Sequence, residues 1–157
     1  MISWRGMLAN LLPPVSEAEG LGLTAALSLL TFAALPLIWR GRWEPRSPQF
    51  ARRFLATLFV AMLTSFHNHV YGAALLLVPC MALVATNAAG KPLQLLLRVG
   101  LYVPPLLFLL TGSMATVGTT YGMLFVAGTA LIVAVEIAAT HATVPPAVEN
   151  FPMESAA

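Results

Sequence analysis

The sequence predicts an all-α protein: a polytopic membrane helical bundle of about five transmembrane helices, preceded by a short interfacial helix. Three observations predict it. Hydrophobic residues make up 59% of the 157-residue chain and charged residues only 9%, with a mean hydropathy of +0.83. Soluble domains carry about 25% charged residues. Uncharged stretches run 20 residues from Gly20 to Trp39, 37 from Phe54 to Gly90 and 37 from Val99 to Val135, and about 20 apolar residues cross a bilayer core. Five of the eight cations gather between Arg40 and Arg53, a pattern that reads as membrane topology.

At the N-terminus, Trp4, Met7, Leu8, Leu11 and Leu12 recur at i, i+3, i+4, i+7 and i+8, one apolar stripe of a helix. Ser3 is placed to cap it and Pro13-Pro14 to end it. The segment is too short to span, so residues 1–19 are expected to lie at the outer interface. A signal peptide is not expected, because a double proline follows the brief apolar run. The first span is 20–39, closed by Arg40 and Arg42. The stretch after Arg53 is too long for one crossing and is interrupted by Ser65-Phe66-His67-Asn68-His69. It reads as a hairpin with spans 54–69 and 70–89. The last uncharged stretch reads as a second hairpin, its turn marked by Gly112-Ser113 and Gly118-Thr119-Thr120, giving spans 99–114 and 119–139. The membrane domain is thus 20–140, and 141–157 is a short cytoplasmic tail, interrupted by Pro145-Pro146 and Pro152 and expected to be disordered.

Positive charge marks the cytoplasmic side. Arg40, Arg42, Arg46, Arg52 and Arg53 fill the first linker, and Lys91 and Arg98 follow two crossings later on the same side. Arg5 alone lies opposite. The expected location is therefore the cell membrane, multi-pass, with the N-terminus outside and the C-terminus cytoplasmic. The pI near 9.1 is explained by these arginines, and no nucleic-acid partner is expected. Membrane lipid is.

The inventory restricts chemistry. One cysteine, Cys80, excludes an internal disulfide and a Cys-cluster metal site. There is no Asp, and the acids are Glu17, Glu19, Glu44, Glu136, Glu149 and Glu154, no two of which flank an obvious site. Gly-rich phosphate loops, Ser-His-Asp arrangements and zinc signatures are absent from the sequence, so no metal, cofactor or catalytic residue is assigned. The densest polar signal is Ser65-Phe66-His67-Asn68-His69-Val70-Tyr71. On a helix His67 and Tyr71 share a face at i, i+4, with Asn68 beside them. Polar groups at the end of a span line a cavity or bind a headgroup, or simply furnish an interfacial turn; both readings stand. His-x-His offers two metal ligands with no Asp, Glu or Cys nearby to complete four. Arg5 can grip a lipid phosphate bidentately or merely solvate its helix among headgroups. Glu136 lies one turn from the inner end of the last span, where it is expected to reach water, and His141 is read as interfacial. Pro104-Pro105 is expected to kink the fourth span.

Two segments carry a family resemblance. Met1-Ile2-Ser3-Trp4-Arg5-Gly6-Met7-Leu8-Ala9 and Ser65-Phe66-His67-Asn68-His69-Val70-Tyr71-Gly72-Ala73-Ala74-Leu75-Leu76-Leu77-Val78-Pro79 resemble the C-terminal half of glycosyltransferase family 87. These are polytopic GT-C-fold enzymes typified by polyprenyl-phosphate-mannose-dependent α-1,2-mannosyltransferases. Members show a Ser-x-Arg-Gly element before a span and a Ser-Pro-His-x-His-x-Tyr-Asp-like element running into a leucine-rich span. The resemblance covers roughly residues 1–90 and is more specific in the second element. Phe66 stands where the family commonly has proline and Gly72 where it has an acid. The resemblance implies transfer of a hexose, mannose, from a polyprenyl-phosphate donor to an extracytoplasmic acceptor. His67, Asn68, His69, Tyr71 and Arg5 would then lie by the lipid phosphate, stabilising its growing charge. The family's catalytic Asp has no counterpart here, so the chain alone is expected to be inactive. Its implied partner is a missing N-terminal half or a companion membrane subunit.

A reading from another class is a small non-enzymatic integral membrane protein with a structural or transport-accessory role. It is suggested by the few intramembrane charges and by Gly118, Gly122, Gly128, Ala127, Ala130 and Ala134, a set expected to be exposed for helix packing. An ion or proton carrier would need Glu136 or the histidines in mid-membrane.

Overall fold

A computed structural model describes residues 2–12, 16–40, 43–65, 76, 79–81, 83 and 90–142. Among them the chain is all-helical: α1 (Trp4–Leu11), α2 (Glu17–Phe32), α3 (Leu35–Ile38), α4 (Pro48–Thr64), α5 (Gly90–Thr111) and α6 (Met114–Ala142). Three helical stretches are long and apolar enough to cross a membrane: Glu17–Ile38, Gly90–Thr111 and Met114–Ala139. The expected spans 54–69 and 70–89 fall partly outside the described residues, as does the tail from 143 onward.

Each start has a local cause. Ser3 accepts from the Gly6 amide at 3.4 Å and caps α1. Ser16 and Glu19 form a reciprocal capping box on α2. Ser47 accepts from the Phe50 amide, with Pro48 at the first turn of α4, where its missing N–H is not needed. Between α5 and α6, Gly112 adopts φ +64° and its amide returns to the Phe108 carbonyl at 2.8 Å, a left-handed helix stop. Ser113 then accepts from the Thr116 amide and opens α6.

The hairpin therefore turns at Gly112-Ser113 alone. Gly118-Thr119-Thr120, the second expected turn signal, lies inside α6. The reason is that the polar side chains are satisfied without breaking the helix. Thr120 returns its hydroxyl to the Thr116 carbonyl at 2.8 Å, Thr119 accepts from Asn10 on α1 at 3.1 Å, and Gly118 is buried. The same i−4 return is made by Thr24, Thr31, Thr57, Thr64, Thr111 and Thr129. Such a bond hides a hydroxyl within an apolar helix.

α6 is the hub. α4 and α5 both pack on it, as do α1 and α3. Glycines let the neighbours approach: a Cβ at Gly128 would lie 2.5 Å from Phe59 Cε2 on α4 and 3.2 Å from Leu96 Cδ2 on α5. A Cβ at Gly122 would overlap Met7 Sδ on α1. Gly118, Gly122 and Gly128 are thus spent inside the chain and are not exposed as expected, whereas Ala127, Ala130 and Ala134 are exposed. Phe59 stacks on Phe125 with centroids 5.0 Å apart, and Ile2, Ile38, Leu55, Leu63 and Ile132 fill the core around them. α1 is seated by protein: Ile2 and Met7 are buried, Trp4 Nε1 donates to Thr31 Oγ1 on α2 at 2.9 Å. Its contacts Met7–Gly122 and Asn10–Thr119 step in opposite directions along the two helices, so α1 runs back along α6.

Candidate functional site

Of the residues expected at a lipid-phosphate site, His67, Asn68, His69 and Tyr71 lie outside the described residues. Arg5 is described, half-buried on α1 beside Trp4. Two other groups of polar side chains stand out in the bundle, one at its end and one at mid-height.

The first is a buried charge cluster. Arg53, in the second turn of α4, and Glu136, near the end of α6, are 8% and 4% exposed. Arg53 Nε and one terminal nitrogen both donate to Glu136 Oε2, at 3.0 and 2.7 Å. Arg52 reaches Glu136 Oε1 at 3.8 Å. Two cations thus share one carboxylate, and the cluster carries one net positive charge. Glu136 does not reach out to water as expected, because antiparallel packing of α4 and α6 brings Arg53 to it. Beside this cluster, Trp39 stacks on Trp43 at 4.9 Å and meets Phe50 edge-on at 5.5 Å, and Trp39 Nε1 donates to Thr57 Oγ1 at 2.9 Å. Aromatic rings next to arginines are the composition of a membrane–water boundary. Thr119, which meets α1, and Glu136 are 17 residues apart on α6 by their numbers, about 25 Å at 1.5 Å per residue. The Asn10 end of α1 and the arginine cluster accordingly occupy opposite ends of the hub helix.

The second feature is a half-open cavity of about 560 Å³ between α4, α5 and α6, lined also by Leu76, Cys80 and Met81, within the size range of small-molecule sites. Its walls are chiefly apolar, with Phe59 and Phe125 on one side and Leu97, Leu101 and Leu124 among the others. Cys80, half-buried, is part of the lining. Its polar groups are Arg98 and Tyr102, one turn apart on α5, and Tyr121 on α6. Arg98 was expected to flank a span starting at 99. Instead α5 begins at Gly90, where φ is +68°, and Arg98 stands eight residues into the helix, about 12 Å along it. Among the described residues Arg98 makes no ion pair; both ion pairs there belong to Glu136.

No family model, curated protein or solved structure matches this chain. The resemblance to glycosyltransferase family 87 rests on the residues quoted for it.

Sequence reasoning missed both features. Glu136 was visible as an intramembrane acid, but its partner is 83 residues away. Arg98 was visible as a cation, and its place in mid-helix needed the true start of α5. Among the described residues no group of three or more metal-ligating side chains converges.

Proposed function

We propose that this chain is a multi-pass integral membrane protein that acts as a structural or accessory subunit, packing against a partner membrane helix. The observation that carries this reading is the outer face of α6. Met123, Ala127, Ala130, Ala134 and Ile137 are all exposed and recur at alternating intervals of four and three, one continuous stripe of the helix. Small side chains framed by Met and Ile let a second helix approach closely in lipid, where close packing drives association. α2, by contrast, buries no residue and exposes Leu29 at 71%, a surface suited to lipid chains. In this reading the Arg52–Arg53–Glu136 end, with its aromatic rings, faces the cytoplasm, and the Asn10 end of α1 with the Gly112-Ser113 turn faces outside.

Photo-crosslinkers placed at Ala127, Ala130 and Ala134 in native membranes are expected to give one protein adduct of defined mass. The same groups at Leu106, Leu109 and Leu110 are expected to label lipid. Lipid-only labelling at both sets would remove the proposal.

A second reading rests on the family resemblance alone, that the chain is the donor-binding part of a polyprenyl-phosphate hexosyltransferase. Arg5 itself adjoins Trp4, which bonds Thr31 on α2 at 2.9 Å, so it lies along the bundle and not at the Asn10 end of α1, and the histidines carry the test. In membranes containing the companion half, His67→Ala and His69→Ala are expected to reduce hexose transfer from polyprenyl phosphate. Unchanged transfer removes that assignment.

A further inference from the structure

Arg98 is chemically out of place. A guanidinium within an apolar helix is expensive and marks a function by default, and the usual resolution is a carboxylate partner. Arg53 has one. Arg98 makes no ion pair among the described residues and stands on the wall of an apolar cavity of about 560 Å³. The groups around it are of one kind. Tyr102 follows at i+4 and so shares its helix face, and Tyr121 stands across on α6. Both phenols donate hydrogen bonds. Arg98 and the two tyrosines therefore present a guanidinium and hydroxyls, a donor-rich set fitted to an anion.

The rest of the wall is hydrocarbon and aromatic. Phe59, Leu97, Leu101, Leu124 and Phe125 offer nothing to a polar ligand, and Gly100 adds no side chain to the wall. A small inorganic anion would leave most of that surface uncovered. A neutral hydrocarbon would leave Arg98 uncompensated. The ligand that satisfies both parts has a long apolar chain and a single anionic head.

We infer that the cavity between α4, α5 and α6 is a binding site for a single-chain anionic amphiphile. Its hydrocarbon lies along Phe59, Leu124 and Phe125, and its carboxylate or phosphate monoester is held by Arg98 with Tyr102 and Tyr121. This inference goes beyond the subunit reading and stands on different residues, since the α6 stripe is on the outer face and the cavity on the inner one.

The test uses the full chain in detergent-free lipid nanodiscs, with four probes: hexadecanoate, hexadecyl phosphate, hexadecanol and inorganic phosphate. Saturable binding is read by competition against a fluorescent fatty acid. At least one of the two anionic chains is expected to bind tenfold or more tightly than hexadecanol, and inorganic phosphate is expected not to compete. Which anionic chain binds better identifies the headgroup. Arg98→Gln is expected to bring the anionic chains down to the hexadecanol level, and Arg98→Lys to restore part of the difference. Leu101→Trp, which fills the cavity, is expected to weaken every chain alike, and helical circular dichroism of each variant verifies the fold. Equal binding of hexadecanol and both anions, competition by inorganic phosphate alone, or unchanged binding in Arg98→Gln each overturns the inference.

Discussion

Arg53 and Arg98 stand on two helices that both pack against α6, and the fold treats them oppositely. Arg53 is buried, with two nitrogens on the Glu136 carboxylate at 2.7 and 3.0 Å. Arg98 is exposed on the wall of an apolar cavity and makes no ion pair among the described residues. The difference separates two uses of charge in an apolar bundle. A charge neutralised within the chain fixes the register of two helices and leaves nothing for a ligand. A charge on the wall of an apolar cavity contributes little to the fold and remains available for recognition.

The sharpest way to break that contrast is Glu136→Ala. It leaves Arg53 buried without its carboxylate and is expected to cost about 3–5 kcal/mol of stability, read from denaturant unfolding in detergent micelles. Replacing both partners, Arg53→Met with Glu136→Leu, is expected to recover most of the loss, because an apolar pair needs no desolvation. A small effect of the single change would mean that water reaches the pair. Next in size is Gly128→Ala. Its methyl group would meet the Phe59 ring at 2.5 Å, and such overpacking costs about 1–3 kcal/mol. Because Phe59 also lines the cavity, this variant is expected to lower chain binding as well as stability, linking the two regions. The smallest effect is that of Arg98→Gln on stability, expected within about 0.5 kcal/mol in the same unfolding assay, as for a side chain outside any network. A loss as large as that of Glu136→Ala would show Arg98 to be structural and would erase the contrast.

Much of the helical architecture could be read from apolar run lengths and cap residues. The Ser3 cap, the stop at Gly112 and the helical character of the runs that became Glu17–Ile38, Gly90–Thr111 and Met114–Ala139 follow from interactions within a few residues. What could not be read is long-range or compensating. Arg53 and Glu136 look like two unrelated boundary charges until α4 and α6 are laid antiparallel. Gly118-Thr119-Thr120 looks like a turn because glycine and threonine end helices in water. In this bundle Thr120 bonds back to Thr116 and Thr119 accepts from Asn10, and the helix continues. Arg98 was counted as a loop charge because a span was expected to begin after it. The His67–Tyr71 segment, the strongest site signal in the sequence, lies outside the described residues, so the cavity and the charge cluster are additions to that reading.

The 83-residue separation of Arg53 from Glu136 also has a consequence in time. Chains are synthesised at about 5–20 residues per second, so on the order of ten seconds pass between the appearance of this arginine and that of its carboxylate. Throughout that interval Arg53 lacks the carboxylate it is buried against in the finished bundle, and the N-terminal end of α4 must wait in water or among lipid phosphates. α6 is thus the helix that releases α4 to settle, and the joining of these two helices is a neutralisation.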